Sequence, residues 1–317
     1  LKEWKPLAEQ GDASAQYNLG VMYKYGDGVL KDYAEALKWY RLSAEQGYDL
    51  AQSNLGVMYD KGNGVLQDYA EAAKWYRLSA EQGVAAAQYN LGIMYDNGEG
   101  VLKDYAEAAK WYRLSAEQGN ALAQFNVGVM YYNGDGVLKD VTEAVKWYRL
   151  SAEQGYASAQ FNVGVMYNNG EGVPQNYVEA VKWFRLSAEQ GNASAQTFLG
   201  AMYVNGNGVL KDATEAVKWF RLSAEQGDGN AQQNLGLMYA QANGVPQNYV
   251  EALKWFRLSA EQGNASAQND IGIIYEFGFG VLQDNVTAHM WYNIASANGN
   301  EKAGELRDKR ADLMTAE

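Results

Sequence analysis

The residues best suited to chemistry are carboxylates, amides and aromatic rings, and their spacing separates catalysis from recognition. Carboxylates at Asp27, Glu99, Asp135 and Glu171 occur at most once per stretch of 36 residues, too dispersed for a general acid and base to share one bond. His289 is the sole histidine and cysteine is absent, so neither an imidazole base with partners nor a thiolate metal site is expected. No H-E-x-x-H, G-x-S-x-G or phosphate-loop string occurs, and the glycine pairs such as Gly62 and Gly64 follow a helical pattern instead of opening one. What remains is binding chemistry. An asparagine recurs at one position as Asn18, Asn54, Asn90, Asn126, Asn162 and Asn234, with Phe198 and Asp270 as departures. An amide offers donor and acceptor together and can hold an extended main chain, or equally can bond the adjacent unit and keep register.

These residues ride on a strict repeat. Gly11, Gly47, Gly83 and so on to Gly299 stand 36 residues apart, and all but the last close the letters A-E-Q-G. Eight full copies run over 12–299, preceded by a partial helix (1–11) and followed by one helix-sized segment (300–317) read as a cap. Units of this length bury their apolar faces against each other. Within a copy, Ala15, Leu19, Met22 and Tyr23 have helical spacing until Gly26 and Gly28 end the first helix. Asp32, with Glu35 three residues on, opens the second as a capping box, repeated as Asp68 with Glu71, Asn176 with Glu179 and Asn248 with Glu251. Tyr33, Ala36, Leu37, Tyr40 and Ala44 form its apolar face, while Glu35 with Lys38 and Arg41 with Glu45 read as a solvated one.

Composition narrows the function. A net charge of −12 opposes a nucleic-acid role, since Lys and Arg are spread evenly. No apolar run approaches a membrane span. The chain opens at Leu1 within a helical pattern, which fits either removal of a leader or truncation.

The string N-L-G-x-M-Y, then G-x-G-V, a capped helix and A-x-K-W-[YF]-R-L-S-A-E-Q-G, resembles the Sel-one-like repeat family, relatives of the tetratricopeptide repeat, over nearly the whole chain. The resemblance implies an all-α, α/α superhelical solenoid acting as a non-catalytic protein-binding adaptor. It implies a bacterial periplasmic or secreted setting, with a cytoplasmic one also open. Some cysteine-rich relatives are associated with β-lactam or cell-wall binding or hydrolysis, the alternative function, but the S-x-x-K and K-T-G strings that such chemistry uses are missing.

Comparing the eight copies locates the candidate site. Positions equivalent to Gln16, Leu19, Gly20, Met22 and Tyr23 hardly change, and Gly20 is expected to allow close helix approach. Positions equivalent to 14, 17, 21 and 24 form one stripe and vary. The resemblance places this stripe, and the adjacent asparagines, on the concave peptide-binding face of tetratricopeptide relatives. The expected binding residues are Tyr89, Phe125, Phe161 and Tyr132 as aromatic anchors, Asn90, Asn126 and Asn162 as grips, and Asn168 and Asp96 beside them. The expected partner is a protein or extended peptide, with no cofactor or metal. The chain is expected to be monomeric, with end-to-end association possible through a short N-terminal end.

Other conspicuous residues read as structure. Trp39 and its equivalents through Trp291 repeat in phase, as packing residues do. His289 takes a position held elsewhere by Leu, Ala or Val. Asn192, Asn264 and Asn285 match glycosylation sequons, though the first two fall where a helix cap is expected.

Overall fold

The structure is a computed structural model that describes residues 3–314, with side chains to residue 309. The described residues form eighteen α-helices and no strand, in two compact units. The first unit, Leu1–Tyr156, holds α1 (Trp4–Glu9), α2 (Ala13–Tyr25), α3 (Tyr33–Glu45), α4 (Asp49–Lys61), α5 (Tyr69–Glu81), α6 (Ala85–Asn97), α7 (Tyr105–Glu117), α8 (Ala121–Asn133) and α9 (Val141–Glu153). The second, Ala157–Glu317, holds α10 (Ala157–Asn169), α11 (Tyr177–Glu189), α12 (Ala193–Asn205), α13 (Ala213–Glu225), α14 (Gly229–Ala240), α15 (Tyr249–Glu261), α16 (Ala265–Phe277), α17 (Asn285–Ala297) and α18 (Glu301–Met314). Each copy of the repeat is one helix pair, as the 36-residue period predicts. The segment expected as a terminal cap carries α18. Residues 315–317 of that segment, and the side chains of Arg310 and Asp312, lie outside the described residues.

Local chemistry sets the helix limits. Asp32 accepts hydrogen bonds from the backbone N–H groups of Ala34 and Glu35 at 2.9 and 3.1 Å, closing the exposed N-terminus of α3. The reciprocal half of the capping box is replaced, because the Glu35 carboxylate pairs with Lys38 at 3.3 Å. Asn192 and Asn264 cap α12 and α16 in the same way. First helices end on a left-handed glycine, as at Gly26 with φ 84°. At the seventh copy that residue is Ala242, still at φ 57°, a region where a Cβ is strained.

Packing within each pair is set by a glycine facing a ring. A Cβ built on Gly92 would lie 2.6 Å from the Tyr112 ring, and the same encounter recurs from Gly20 with Tyr40 to Gly272 with Tyr292. The rings are buried, with Tyr112 at 1% exposure and Phe184 at 0%. Neighbouring pairs then join through the tryptophans, Trp75 packing on the cluster around Ala36, Tyr40 and Leu55, and Trp111 on that around Tyr76 and Leu91.

The invariant polar letters stitch helices together. Gln46 donates to the Gln16 side-chain oxygen at 2.7 Å, and Gln16 donates in turn to the Ala8 carbonyl at 3.1 Å. Gln52, Gln88 and Gln124 repeat the second step onto Ala44, Ala80 and Ala116, carbonyls near the ends of α3, α5 and α7 that also accept the backbone N–H of the glycine three residues on. Ser43 donates to the Ala13 carbonyl at 2.6 Å, as Ser79 does to that of Asp49. Gln16, Ser43 and their equivalents are buried and bonded, so removing a partner of theirs strands a buried group.

Two substitutions test this. Gly92→Ala should destabilise the first unit by roughly 2–4 kcal/mol in urea unfolding, because the overpacked ring cannot retreat from a dense core. Ala242→Gly should raise the melting temperature of the chain, by relief of about 0.5–1 kcal/mol of left-handed strain.

Candidate functional site

The variable stripe is half scaffold and half surface. In the first unit, Tyr17 packs against Tyr40 and Tyr48, with ring centroids 5.9 and 5.2 Å apart. Tyr89 lies 5.8 Å from Tyr112, and Phe125 sits between Tyr148 at 5.7 Å and Tyr156 at 5.1 Å. Tyr89 and Phe125 are therefore half-buried, each with one flank committed to a neighbouring helix. Tyr132 at the C-terminal turn of α8 is exposed, with Lys139 Nζ 5.5 Å over its ring.

Position 24 varies for a physical reason that involves position 40. Where the buried ring is a tyrosine, the residue at 24 can meet its hydroxyl: the Tyr112 hydroxyl donates to Asp96 at 3.3 Å, Tyr292 donates to Glu276, and Tyr76 bonds Asp60. Where it is phenylalanine, as at Phe184, Phe220 and Phe256, position 24 carries Asn168, Val204 and Ala240, none of them ionisable. A buried hydroxyl needs an acceptor and a buried ring without one does not. Tyr40, whose copy has Lys24, has a buried hydroxyl with no partner. Burial, and then the neighbouring carboxylates, push the Tyr76 and Tyr112 hydroxyls far above the usual tyrosine range, so both stay neutral donors.

The asparagine ladder of the first unit is engaged between repeats. Lys24 Nζ donates to Asn54 Oδ1 at 2.9 Å, and Asn54 donates to the Leu50 carbonyl at 3.0 Å. The Asn90 amide hydrogen-bonds the Tyr76 hydroxyl, and Asn126 hydrogen-bonds both Tyr89 and Tyr112, in each case a tyrosine of the preceding copy. These bonds match the register-keeping use of the amide.

Together the side chains build two cups of one design. A cavity of about 360 Å³ is lined by Asp60, Lys61, Tyr69, Tyr76, Asn90, Asn97 and Glu99, with Lys61 paired to Asp60 at 3.0 Å and Ile93 and Met94 as apolar walls. One copy later, a cavity of about 150 Å³ is lined by the equivalent Asp96, Tyr105, Tyr112, Asn126 and Asp135, with Val129 and Met130 as walls. Asp96, Asn90 and Asn126 were expected from sequence. The tyrosines and Glu99 were not joined to them, although the matched change at positions 24 and 40 carries that signal.

In the second unit Phe161 packs on Phe184 and Phe198, at 5.8 and 5.6 Å, and Asn162 is half-buried. Asn168 donates to Asn169 at 2.9 Å, and its carbonyl accepts from Gln175. Asp270, at the ladder position, accepts from Gln233 at 3.3 Å, and burial pushes its carboxyl up to about 6. Elsewhere the guanidinium groups do not all follow the helix pairing expected for Arg41 with Glu45. Arg41 donates to the Tyr59 hydroxyl of the next copy, as Arg77 does to Tyr95 and Arg221 to Tyr239, whereas Arg113 does pair with Glu117 at 3.0 Å. The tyrosine lies one helix further on and presents a neutral acceptor without desolvating a carboxylate. His289 is half-buried on α17. Among the described residues no cluster of three His, Cys, Asp or Glu could hold a metal ion, and no helix is long and apolar enough to cross a membrane.

Tandem helix pairs closed by a glycine against a ring, with cups along the ends of the first helices, define a helical-repeat protein of the α/α solenoid class. The model of the Sel1 repeat matches eight abutting segments from 13–48 through 265–300, and the chain belongs to that family. The structure of a protective antigen of uropathogenic Escherichia coli with the SLR fold superposes with a TM-score of 0.91 at 41% identity, covering 96% of this chain and 66% of that one. This chain thus spans 66% of the length of that protein. A Sel1 repeat protein from Oxalobacter formigenes superposes with a TM-score of 0.71 at 34% identity, over 97% of this chain and 89% of the other. Cut9–Hcn1 of the APC/C, at 14% identity and a TM-score of 0.50 over 94% of this chain and 58% of that one, shares the fold alone. No curated protein matches the chain significantly. Repeats of this family commonly mediate protein–protein contacts and are generally non-catalytic.

The Asp270 environment makes a pH-dependent prediction. Its folded value lies above the ordinary carboxylate value, so the folded chain holds that proton more tightly than the unfolded chain, and stability falls as pH rises through about 6. Asp270→Asn, the residue found at most other copies, should therefore stabilise by about 1–3 kcal/mol at neutral pH and by much less near pH 4. Urea melts at the two pH values measure the difference.

Proposed function

We propose that the chain is a non-catalytic adaptor that holds an extended segment of a protein partner along the ends of its first helices, and that the cups of the first unit take basic side chains of that segment. The observation that carries this reading is the recurrence of one cup design, Asp60 with Glu99 and then Asp96 with Asp135, a single repeat apart. Each cup combines carboxylates, tyrosine hydroxyls and apolar walls, which together suit a charged head on an aliphatic stem. The net charge of −12 assists encounter with a basic segment. Tyr132, exposed beside the second cup, supplies an aromatic contact, while Tyr89 and Phe125 present one ring flank each. In the second unit Phe161, Asn162 and Asn168 are the corresponding contacts proposed. The same reading places the protein in the bacterial envelope or outside the cell, supported by likeness to the uropathogenic antigen.

The test uses immobilised arrays of extended peptides carrying arginine or lysine at varied spacing, followed by anisotropy on the retained sequences. Asp60→Asn and Asp96→Asn keep an acceptor for the tyrosine hydroxyl and remove the charge, so folding should be preserved. Each should weaken a retained basic peptide by about tenfold or more, the cost of one charge-assisted contact. Equal affinity for the wild type and both variants would reject the cups as the binding site. Phe125→Ala should also lower affinity; its melting temperature reports how much of the ring is scaffold.

A further inference from the structure

The first unit carries a third cavity, whose origin is legible in the repeat itself. A cleft of about 560 Å³ opens over α7 and α8, with Ala109, Val127, Met130 and Val137 in its wall. Position 37 and the following copy's position 19 meet in this layer. Across the chain that pair reads Leu37 with Leu55, Ala73 with Leu91, Ala109 with Val127, Val145 with Val163, Val181 with Leu199, Val217 with Leu235 and Leu253 with Ile271. Ala109 with Val127 is the smallest combination, and the cleft lies where it falls. Two truncations in one layer leave a void that either collapses or accepts a guest.

We infer that this cleft binds a small amphiphile, an apolar body with one anionic head. Its volume lies in the range of ligand pockets, and its wall is predominantly apolar. Its lining also includes Lys110, Arg113, Glu117 and Tyr131, two cations that each have one carboxylate partner, Glu107 for Lys110 and Glu117 for Arg113. Arg113 reaches both Glu117 at 3.0 Å and the Tyr131 hydroxyl at 3.4 Å, and Lys110 reaches Glu107 at 3.2 Å. These contacts are solvent-exposed, and exposed ion pairs exchange partners at little cost. A carboxylate or sulfonate head can therefore take the guanidinium in bidentate fashion while its tail fills the space left by Ala109. The site shares the Met130 wall with the second cup but none of its polar groups, and it requires no protein partner.

The probe is decanoate, titrated calorimetrically below its micelle concentration against the folded full-length chain, with decanol as the uncharged comparison. Saturable one-to-one binding is expected, with decanol at least about tenfold weaker for loss of the charge-assisted contact. Ala109→Leu restores the side chain of Leu37 and Leu253, so the fold should tolerate it. It should abolish decanoate binding and leave the melting temperature equal or higher. Arg113→Gln should bring decanoate down to the affinity of decanol. The inference is overturned by no saturable binding to the wild type, by unchanged affinity in Ala109→Leu, or by equal affinity for decanoate and decanol. Binding of a leucine-rich peptide at this site without decanoate binding would assign it to a protein side chain and likewise overturn it. Peptide affinity at the cups should be the same in Ala109→Leu, which separates this result from the adaptor reading.

Discussion

Every helix pair closes on one contact, a glycine of the first helix against an aromatic ring of the second. Because a Cβ would stand well inside van der Waals distance of that ring, the two helices sit closer than side-chain packing ordinarily allows. Close approach brings the ends of the pair within reach of the buried glutamines and serines. Their hydrogen bonds then tie successive helices together through main-chain carbonyls and through one another. The tryptophan of the following copy covers the outside of the same core. The invariant letters of the repeat are thus one interlocked device, which explains why they change so little from copy to copy.

Variation is permitted only where that device leaves room, and it is not free there either. The ring facing the glycine can be tyrosine or phenylalanine, and the choice alters what is useful sixteen residues earlier: Asp60, Asp96 and Glu276 accompany tyrosines, Val204 and Ala240 accompany phenylalanines. A carboxylate recruited to accept from a buried hydroxyl also lines a surface cup. In the proposed reading structural need and recognition chemistry are met by the same side chain, so the acidic cups of the first unit follow from the chemistry of its core. The second unit, richer in phenylalanine, lacks carboxylates at three of its four equivalent positions.

Much of the fold was legible in the sequence because period, helix limits and caps are local. Asp32 and Asn192 act where a side chain three residues from its target must act, and Gly26 ends a helix by its own backbone freedom. Contacts across the stack were less legible. Arg41 has an acceptable partner at Glu45 along its own helix, yet bonds Tyr59, a choice decided by how the next pair packs. Asn126 could equally grip a ligand or hold register until the hydroxyls of Tyr89 and Tyr112 are placed beside it. Ala242 stands where the other copies have glycine, but what that exchange costs appears only in its positive φ. The cleft at Ala109 required two modest truncations to fall in one layer, which no single-copy pattern reveals.

The central claim is that partner contact is made at the loop ends of the first helices, leaving the outer faces of the second helices uncovered. Amide hydrogen exchange on the chain with and without a bound basic peptide tests it directly. The account predicts slowed exchange in the C-terminal turns of α4 and α6 and at residues 61–69 and 97–105, with the C-terminal halves of α5 and α7 unchanged. Protection confined to the outer residues of α5 and α7, with the cups exchanging as in the free chain, would contradict it.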